Sequence, residues 1–445
     1  MDIIGLIPSF GNIAWTLAAF IVALSIIVAV HEYGHYIVGR WCGIHAEVFS
    51  LGFGPVLWSR TDRRGTTWQV AALPLGGYVK FLGDADAASG RDGSAIGAMG
   101  TDERRRTMHG APLWARAATV AAGPAFNFAM AILVFAGVFW AGGIVTDRPV
   151  VGQLRALPFE GAALRPGDRI LAVGGIETPD TAALGAALDT LDPAAVVPYR
   201  VERDGTAITV DGPFPLPPLV DVVQPRSAAG DAGLRAGDVV LAVDGAPIVA
   251  FRELRDRVGA SGGQPLTLTV WRAGETFEVT LRPKRMDMPR PEGGFETRWL
   301  LGLNGGMAFD PETRTPGPLE GLWMGAQQTW AIIATSLSAL GHIVSGAISP
   351  CNLQGPIGMA ETSGESAAAG PEQFIWFIAM LSTAVGLMNL FPVPVLDGGH
   401  LVFHAYEAVT RRPPSDRALR VLMSAGFALL IGLMVFALTN DLFCP

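Results

Sequence analysis

The chain has 445 residues, a formal net charge of −8, 50% apolar residues and only 16% charged residues. This length is too great for one compact domain, so two or three domains are expected. A soluble protein usually has about a quarter of its residues charged. The shortfall disfavours a wholly soluble protein and points to one embedded in a membrane.

Four apolar segments predict membrane-spanning helices. Residues 13–30 form a run of 18 without a formal charge, which is long enough to begin a spanning helix. Residues 113–140, 374–391 and 421–438 have a similar character. The first segment is expected to be retained rather than cleaved as a signal peptide, because residues 1–12 contain no Lys or Arg and no small-residue cleavage site follows.

The positions of the cations predict the orientation of these spans. Between the first and second spans lie Arg60, Arg63, Arg64, Lys80, Arg104, Arg105 and Arg106, and between the third and fourth lie Arg411, Arg412 and Arg417. The positive-inside rule places both loops in the cytoplasm and both termini outside. Residues 321–360 also lack formal charge, but a fifth span there would move the loop at Arg411 outside. We therefore predict a helical segment that lies at the outer interface or packs on the bundle.

The region between the second and third spans contains an internal repeat. Residues 162–175 align without gaps on residues 232–245, with nine of fourteen positions identical, which is far above chance. Each copy has an Arg-x-Gly-Asp turn, an apolar strand and a glycine turn. This pattern resembles circularly permuted PDZ domains, which hold peptides by adding a strand to a sheet edge. Alternatively, one or both copies are spacers that bind no peptide.

The first span leads into the motif His31-Glu32-Tyr33-Gly34-His35. Residues four apart share a helix face, so His31 and His35 can reach one metal ion. Glu32 lies beside the first of them, where a carboxylate can take a proton from metal-bound water. Ionisable residues that continue an apolar span are costly and usually functional. The alternative is that the two histidines merely pack among helices.

A catalytic zinc needs a third protein ligand, and Asp397 is the candidate. It closes the sequence Asn389-Leu-Phe-Pro-Val-Pro-Val-Leu-Asp, in which Pro392 and Pro394 must break the third span. Two glycines follow and permit close backbone approach. Because the first and third spans both enter from outside, we expect His31 and Asp397 at the same depth near the cytoplasmic face.

The other histidine and cysteine residues predict no second metal site. His400 and His404 are four apart, but no carboxylate lies between them, and a packing or supporting role is favoured over a second metal pair. Cys42, Cys351 and Cys444 are scattered and imply neither a metal motif nor a disulfide framework.

Taken together, these motifs resemble the site-2 protease family of intramembrane metalloproteases over nearly the whole chain. The resemblance rests on the HExxH span, the two PDZ-like copies and residues 73–80 (LPLGGYVK), 123–127 (GPAFN), 352–357 (NLQGPI) and 389–399 (NLFPVPVLDGG). The family implies one zinc ion per chain, with His31, His35 and Asp397 as ligands and Glu32 as the catalytic carboxylate. It also implies a β-structure that pairs with substrate, and a substrate-binding set of Gly76, Gly77, Tyr78, Val79, Asn389, Pro392 and Pro394. Asn389 could equally cap the broken span.

The predicted fold is a polytopic α-helical membrane protein with four transmembrane helices, a small membrane-associated β-structure and two inserted β-rich PDZ-like domains. The four spans are assigned to residues 1–42, which contain the HExxH motif, and to residues 113–143, 372–400 and 417–440. The cytoplasmic-side β-structure is assigned to residues 43–112, the PDZ-like domains to residues 150–211 and 219–285, and the interfacial helical segment to residues 318–360.

The features together predict an intramembrane zinc metalloendopeptidase of a bacterial inner membrane, with its PDZ-like domains in the periplasm and its active site toward the cytoplasm. By resemblance, the substrate is a single-span membrane protein: an anti-sigma factor already cut outside the membrane, or a remnant signal peptide. We expect contact with lipid, peptide or protein contacts through the PDZ-like domains, and no nucleic-acid partner. Two alternatives are a non-catalytic adaptor, which would lack a ligand or the base, and a membrane-anchored zincin, whose metal pair would lie outside the spans.

Overall fold

The computed structural model describes residues 6–85, 97, 99–159, 163–224, 226–289 and 295–443. The chain divides into two compact units. The first consists of Met1–Val138, Pro318–Gly341 and Leu353–Cys444, and the second contains Phe139–Gly317 and His342–Asn352. Ala162, which begins the first repeat copy, and Cys444 lie outside the described residues, as do short stretches of the predicted segments 1–42, 43–112, 150–211 and 219–285.

The described helices account for all of the predicted spans. They are α1 (Leu6–Trp41), α2 (Thr101–Arg105), α3 (Leu113–Gly142), α4 (Thr181–Thr190), α5 (Ala228–Asp231), α6 (Phe251–Ala260), α7 (Pro318–Val344), α8 (Pro356–Ala369), α9 (Pro371–Asn389), α10 (Asp397–Thr410) and α11 (Asp416–Phe443). Four of them are long and apolar enough to cross a membrane: Ile13–Trp41 within α1, all of α3, all of α9, and Arg417–Phe443 within α11. This agrees with the four predicted spans.

The strands fall into the β-structure after the first span and the region of the internal repeat. They are β1 (Ala46–Thr61), β2 (Thr67–Phe81), β3 (Ile144–Val145), β4 (Val151–Leu154), β5 (Arg169–Val173), β6 (Ile176–Glu177), β7 (Val197–Arg203), β8 (Thr206–Gly212), β9 (Val220–Val223), β10 (Val239–Val243), β11 (Ala246–Pro247), β12 (Leu266–Arg272), β13 (Glu275–Leu281), β14 (Lys284–Pro289), β15 (Phe295–Leu300), β16 (Leu303–Gly305), β17 (Phe309–Pro311) and β18 (Thr313–Arg314).

Helix α7 contains residues 321–344 of the uncharged segment 321–360, for which a helix beside the bundle or at the outer interface was predicted. It packs on the second span through small residues four apart, since Gly321, Gly325 and Thr329 are buried. A Cβ added to Gly325 would lie 2.4 Å from the carbonyl oxygen of Ile132 in α3. Such close packing of small residues is typical of helix pairs in membranes. Helix α7 therefore packs on α3, and the position of the segment at the outer interface stays a prediction.

Strands β1 and β2 are long and bent, and together they form one sheet in the first unit. Residues 46–51 pair antiparallel with residues 77–81 on one side and contact residues 67–70 on the other, while residues 56–61 pair with residues 67–71. Within the described residues, the segment 77–81 therefore has a strand on one side only. It is an edge of the sheet, and backbone groups at a sheet edge are available to another strand.

The second unit contains two four-stranded sheets with the same strand order. One is β6-β5-β7-β8 and the other β11-β10-β12-β13. Helix α4 follows β6 in the first, and α6 follows β11 in the second. Each sheet has its own apolar core, around Ile170, Leu184 and Tyr199 in the first and around Val240 and Leu254 in the second. The sequence repeat is thus also a repeat of structure.

The Arg-x-Gly-Asp turn of each copy ends on an equivalent buried carboxylate. Asp168 accepts hydrogen bonds from Nε and Nη2 of Arg203, both at 2.7 Å, and Asp238 accepts them from Arg272 at 2.6 and 2.7 Å. Each aspartate also accepts the backbone N–H three residues earlier, at 2.8 Å. In each copy, the same ion pair therefore joins the Arg-x-Gly-Asp turn to the third strand in chain order, β7 in the first copy and β12 in the second.

Two features differ from the sequence-based expectations for this region. The repeat does not end at residue 285, because β16 returns to pair with β9 and β17 returns to pair with β4. Strands so distant in the chain leave no local pattern that could reveal their pairing. Cys351 is disulfide-bonded, whereas Cys42 has a free thiol. Three cysteines without regular spacing did not predict that bond.

Candidate active site

The HExxH motif lies within a continuous helix. Helix α1 extends from Leu6 to Trp41, so His31 and His35 are one turn apart on the same face. Their Nε2 atoms are 3.2 Å apart and the two rings meet edge to face. His31 is buried and His35 is half-buried. The helix thereby directs two imidazole nitrogens at one point.

Asp397 reaches the same point from the opposite end of the chain. Helix α9 ends at Asn389 and α10 begins at Asp397, so the third span is shorter than the predicted segment 372–400. The intervening turn contains Pro392 and Pro394, which cannot donate backbone hydrogen bonds. The chain then turns back tightly: a Cβ added to Gly398 would lie 2.3 Å from two carbonyl oxygens of that turn. These features place Asp397 at the first residue of a helix.

The three side chains form a compact triangle. Oδ2 of Asp397 is 3.1 Å from Nε2 of His31 and 3.5 Å from Nε2 of His35. Ligand atoms in a tetrahedral zinc site, at about 2.0–2.1 Å from the metal, are roughly 3.3 Å apart. Apart from these two imidazoles, the buried Oδ2 of Asp397 has no hydrogen-bond partner among the described residues, as expected of an atom that binds an ion. The described residues contain no other group of three metal-binding side chains, and these three fit zinc.

The second span forms the wall behind the two histidines. The Nδ1 atom of His35 lies 2.8 Å from the backbone oxygen of Thr119, and Nδ1 of His31 lies 3.2 Å from the amide of Asn127. Gly123 lies between them in α3, where a Cβ would be 2.4 Å from Nε2 of His35 and 2.8 Å from Cε1 of His31. The sequence motif at residues 123–127 therefore provides both the space for the rings and a polar contact to one of them.

Glu32 lies between the histidine pair and the edge of the β1–β2 sheet. A Cβ added to Gly77 would be 3.1 Å from Cγ of Glu32, and the backbone N–H of Val79 is within hydrogen-bonding reach of the Glu32 carboxylate. A cavity of about 280 Å³ contains this arrangement. Its lining includes the three metal-binding side chains and Glu32, together with Gly77, Tyr78, Val79 and Asn389. The sheet edge and the metal triangle thus share one cavity.

The structure divides the predicted substrate-binding residues into two groups. Gly77, Tyr78, Val79 and Asn389 line the cavity, whereas Gly76, Pro392 and Pro394 do not. Gly76 instead packs on the ring of Phe53, and Pro394 packs on Gly426 of the fourth span. The Nδ2 group of Asn389 donates to the carbonyl of Val385, 3.0 Å away in its own helix. This capping contact leaves the side-chain oxygen of Asn389 for other partners.

His400 and His404 also line this cavity, but they are not part of the metal triangle. Farther along α10, Glu407 accepts a hydrogen bond from Arg116 of the second span at 2.6 Å. This half-buried ion pair ties the helix that begins with Asp397 to the start of α3. The polar residues of α10 therefore form part of the cavity wall and connect this helix to α3. Among the described residues, they form no second metal-binding group.

Comparison with known proteins gives a consistent result. The model of "Peptidase family M50" matches residues 19–433. The chain is 36% identical over 440 residues to a protein of Agrobacterium fabrum whose name assigns it to the zinc metalloproteases, with 97% of each chain covered. It is 35% identical over 458 residues to the regulator of sigma-E protease RseP of Escherichia coli, with 96% of this chain and 98% of the relative covered. The corresponding Salmonella typhimurium protein is 35% identical over 461 residues, with 97% and 99% covered.

Proposed function

The chain belongs to peptidase family M50 and is an intramembrane zinc metalloprotease. We propose that it cuts single-span membrane proteins near the cytoplasmic face of a bacterial inner membrane. His31, His35 and Asp397 are the zinc ligands, and Glu32 is the catalytic base. The observation that carries the proposal is the single cavity in which the ligand triangle, Glu32 and the sheet edge at residues 77–81 meet.

The chemistry assigned to the chain follows from the positions of these groups. Bound zinc supplies a Lewis acid that polarises the scissile carbonyl and makes a water molecule more acidic. Glu32, one residue from the first ligand, takes a proton from the attacking water and passes it to the leaving amine.

The sheet edge explains how a buried peptide bond becomes accessible. In a helix, the scissile bond has its backbone hydrogen-bonded, so the substrate must unwind before it is cut. In a membrane the freed N–H and C=O groups need new partners. The segment 77–81 offers unpaired backbone on the side of the zinc, and an unwound substrate can add to it as a strand. The free side-chain oxygen of Asn389 is a further acceptor for the unwound backbone.

Two independent features support the orientation in the membrane. The loops that carry Arg104–Arg106 and Arg411–Arg412 are cationic and so belong in the cytoplasm. The disulfide-bonded Cys351 belongs to the second unit, and disulfides persist in oxidising compartments such as the bacterial periplasm. We therefore propose that the second unit is periplasmic and that the zinc site lies toward the cytoplasm.

The substrate is proposed to be an anti-sigma factor already cut on the periplasmic side, with remnant signal peptides as a second class. Support comes from the name of the relatives of Salmonella typhimurium and Escherichia coli, which is regulator of sigma-E protease. The two PDZ-like copies, on the periplasmic side, act as a filter that admits trimmed substrates, or hold peptides through their sheet edges.

The test is co-expression with candidate single-span substrates, comparing the native enzyme with Glu32→Gln. The variant should keep zinc and cut nothing, because Glu32 is assigned as base and not as ligand. The native enzyme should cut within the substrate's apolar segment. A variant that still cleaves would remove Glu32 from the mechanism. A native protein that binds zinc and its substrates without cutting any of them would favour the adaptor function.

A further inference from the structure

A buried asparagine of the second span contacts one of the two histidines. Asn127 is fully buried in α3, and its Nδ2 lies 3.2 Å from Nδ1 of His31. Its Oδ1 is buried with no hydrogen-bond partner among the described residues. A polar side chain in an apolar span is costly unless its hydrogen bonds are satisfied. Asn127 is therefore buried in an apolar span, and one end of its side-chain amide, Oδ1, lacks a hydrogen-bond partner among the described residues.

The proton on His31 determines which end of the amide must face it. The Nε2 atom of His31 points at His35 and Asp397, so a metal bound there requires the lone pair on Nε2 and the proton on Nδ1. A protonated Nδ1 needs an acceptor, and an amide NH₂ group is a donor. The two ends of an amide are distinguished only by their hydrogen-bond partners. Turning the side-chain amide of Asn127 by half a rotation places its Oδ1, an acceptor, opposite the Nδ1–H of His31. Without that rotation, the NH₂ group of Asn127 and the Nδ1–H of His31 would be two donors facing each other.

We infer that Asn127 is a positioning residue of the zinc site: its side-chain oxygen accepts the Nδ1–H of His31 and thereby fixes the tautomer and the ring orientation of this ligand. The inference rests on the proposed function, since it assumes zinc at His31, His35 and Asp397. Partners of this kind, behind a histidine ligand, raise the metal affinity of the site.

The surroundings of Asn127 hold it in the required place. Its backbone oxygen accepts a hydrogen bond from the hydroxyl of Ser382 in the third span, at 3.0 Å, and both residues are fully buried. A Cβ added to Gly386, one turn farther along α9, would be 3.2 Å from Cβ of Asn127. The third span therefore clamps the asparagine against the first span.

The two histidines are supported in different ways, which provides an internal control. His35 donates to the backbone oxygen of Thr119, and no substitution of a side chain removes a backbone acceptor. The hydroxyl of Thr119 bonds instead to the carbonyl of Ala115 at 2.8 Å. Thr119→Val should therefore leave the support of His35 intact. Only the support of His31 depends on a side chain that mutation can remove.

The experiment measures zinc affinity of the full-length protein by competition with a chelator. Asn127→Leu keeps the size of the side chain but removes the acceptor, and should weaken zinc binding about 10–100-fold. Asn127→Asp keeps an accepting oxygen and should bind zinc within a few-fold of the native protein, as should Thr119→Val. Nitrogen NMR of the labelled histidines should report the Nδ1–H tautomer of His31 in the native protein and in Asn127→Asp, and its loss in Asn127→Leu.

The outcomes separate this inference from the proposed function. If the native protein binds no zinc, the proposed function fails. If the native protein binds zinc and Asn127→Leu binds it equally well with the same His31 tautomer, the proposed function stands and the positioning role is wrong. If Asn127→Leu fails to fold, Asn127→Ala, which also removes the acceptor, replaces it: weakened zinc binding with loss of the Nδ1–H tautomer of His31 supports the role, and native affinity with the native tautomer overturns it.

Discussion

Gly123 of the second span lies so close to His35 that a Cβ at this position would be 2.4 Å from the imidazole Nε2. The same Cβ would be 2.8 Å from Cε1 of His31. Real Cβ atoms do not approach other atoms this closely, so the bare backbone of α3 forms one side of the metal site. The first and second spans are equally close one turn away, where a Cβ on Gly34 would be 2.5 Å from the carbonyl oxygen of Ala122.

This contact predicts the effect of adding one methyl group. Gly123→Ala should displace both imidazole rings and lower zinc occupancy and cleavage together, by at least tenfold. Gly137→Ala is the matched control, because it lies in the same helix with nothing within 4 Å of its added Cβ. Metal content of the purified variants is the measurement. Native zinc content in Gly123→Ala would mean that the rings can move without losing the ion.

The assignment of the third ligand gives a second prediction. Asp397→Ala should lose the zinc, because only two of the three protein ligands that a catalytic zinc site needs would remain. His400→Ala should keep it, since His400 lines the cavity outside the metal triangle. The zinc-to-protein ratio after dialysis distinguishes the two. The opposite pattern, with metal kept in the first variant and lost in the second, would transfer the third ligand to His400.

The ion pair of the first repeat copy predicts a dependence on pH. Burial alone would raise the pKa of Asp168, but the hydrogen bonds from Arg203 and from the backbone of Arg165 outweigh it and hold the pKa below its ordinary value of 3.8. A carboxyl group with a lowered pKa stabilises the fold above its unfolded pKa, and this contribution is lost as the pH falls through the folded pKa. Asp168→Asn should therefore destabilise this copy at neutral pH by about 2 kcal/mol.

Hydrogen exchange of β5 in the full-length protein can measure that change. Exchange should be faster in Asp168→Asn than in the native protein at pH 7, after correction for the intrinsic rate, and the difference should shrink toward pH 3. The exposed Asp192 supplies the control Asp192→Asn, which should leave the exchange unchanged. An equal difference between Asp168→Asn and the native protein at both pH values would mean that the effect is steric and not electrostatic.

The sequence predicted the parts of the site that lie on regular patterns. His31 and His35 are four apart on an apolar helix, and Asp397 follows two helix-breaking prolines, so each can be found from local spacing. The contact between Asn127 and His31 could not be found in this way, because it depends on how two distant spans rotate against each other. The available signals were the motif at residues 123–127, which contains Asn127, and the amide side chain in an apolar span, which in a membrane requires a partner.

The motif at residues 352–357 was recognised without a physical role, and the structure supplies one. The carboxylate of Asp441, in the last turns of the fourth span, accepts the backbone N–H groups of Gly355, Ile357 and Gly358 at 2.9–3.1 Å. It caps the start of α8 from a distant part of the chain. A Cβ added to Gly355 would be 2.5 Å from this carboxylate. Local pattern cannot reveal a cap that another helix provides.

Labelling of introduced cysteines tests the orientation. In a Cys42→Ser background, a membrane-impermeant maleimide should react with Glu275→Cys in intact cells. It should react with Arg411→Cys only after the membrane is permeabilised, because the cationic loop is assigned to the cytoplasm. Reaction of Arg411→Cys in intact cells would overturn the four-span topology and make α7 a fifth span.

The last prediction concerns the two PDZ-like copies, which we propose exclude untrimmed substrates. Their removal must respect the strand pairing. Val145 pairs with Thr313 and Ile144 with Arg314, so residues 146–312 can be replaced by a two-residue Asn-Gly turn that closes this short hairpin. A deletion of residues 150–285, the bounds assigned to the two copies from the sequence, would leave β16 and β17 without β9 and β4, their partners.

The expected result follows from the proposed topology. The copies are assigned to the periplasm and the zinc site to the cytoplasmic side, so we expect the copies to take no part in the chemistry. A bulky periplasmic domain on a substrate would meet them, whereas a trimmed substrate would not. The deletion variant should therefore cut trimmed and untrimmed substrates alike, while the native enzyme cuts only trimmed ones. The same deletion with Glu32→Gln controls for cleavage by another protease. If the deletion variant is stable and loaded with zinc but cuts neither substrate, the copies must present substrates to the site, and the filter is wrong.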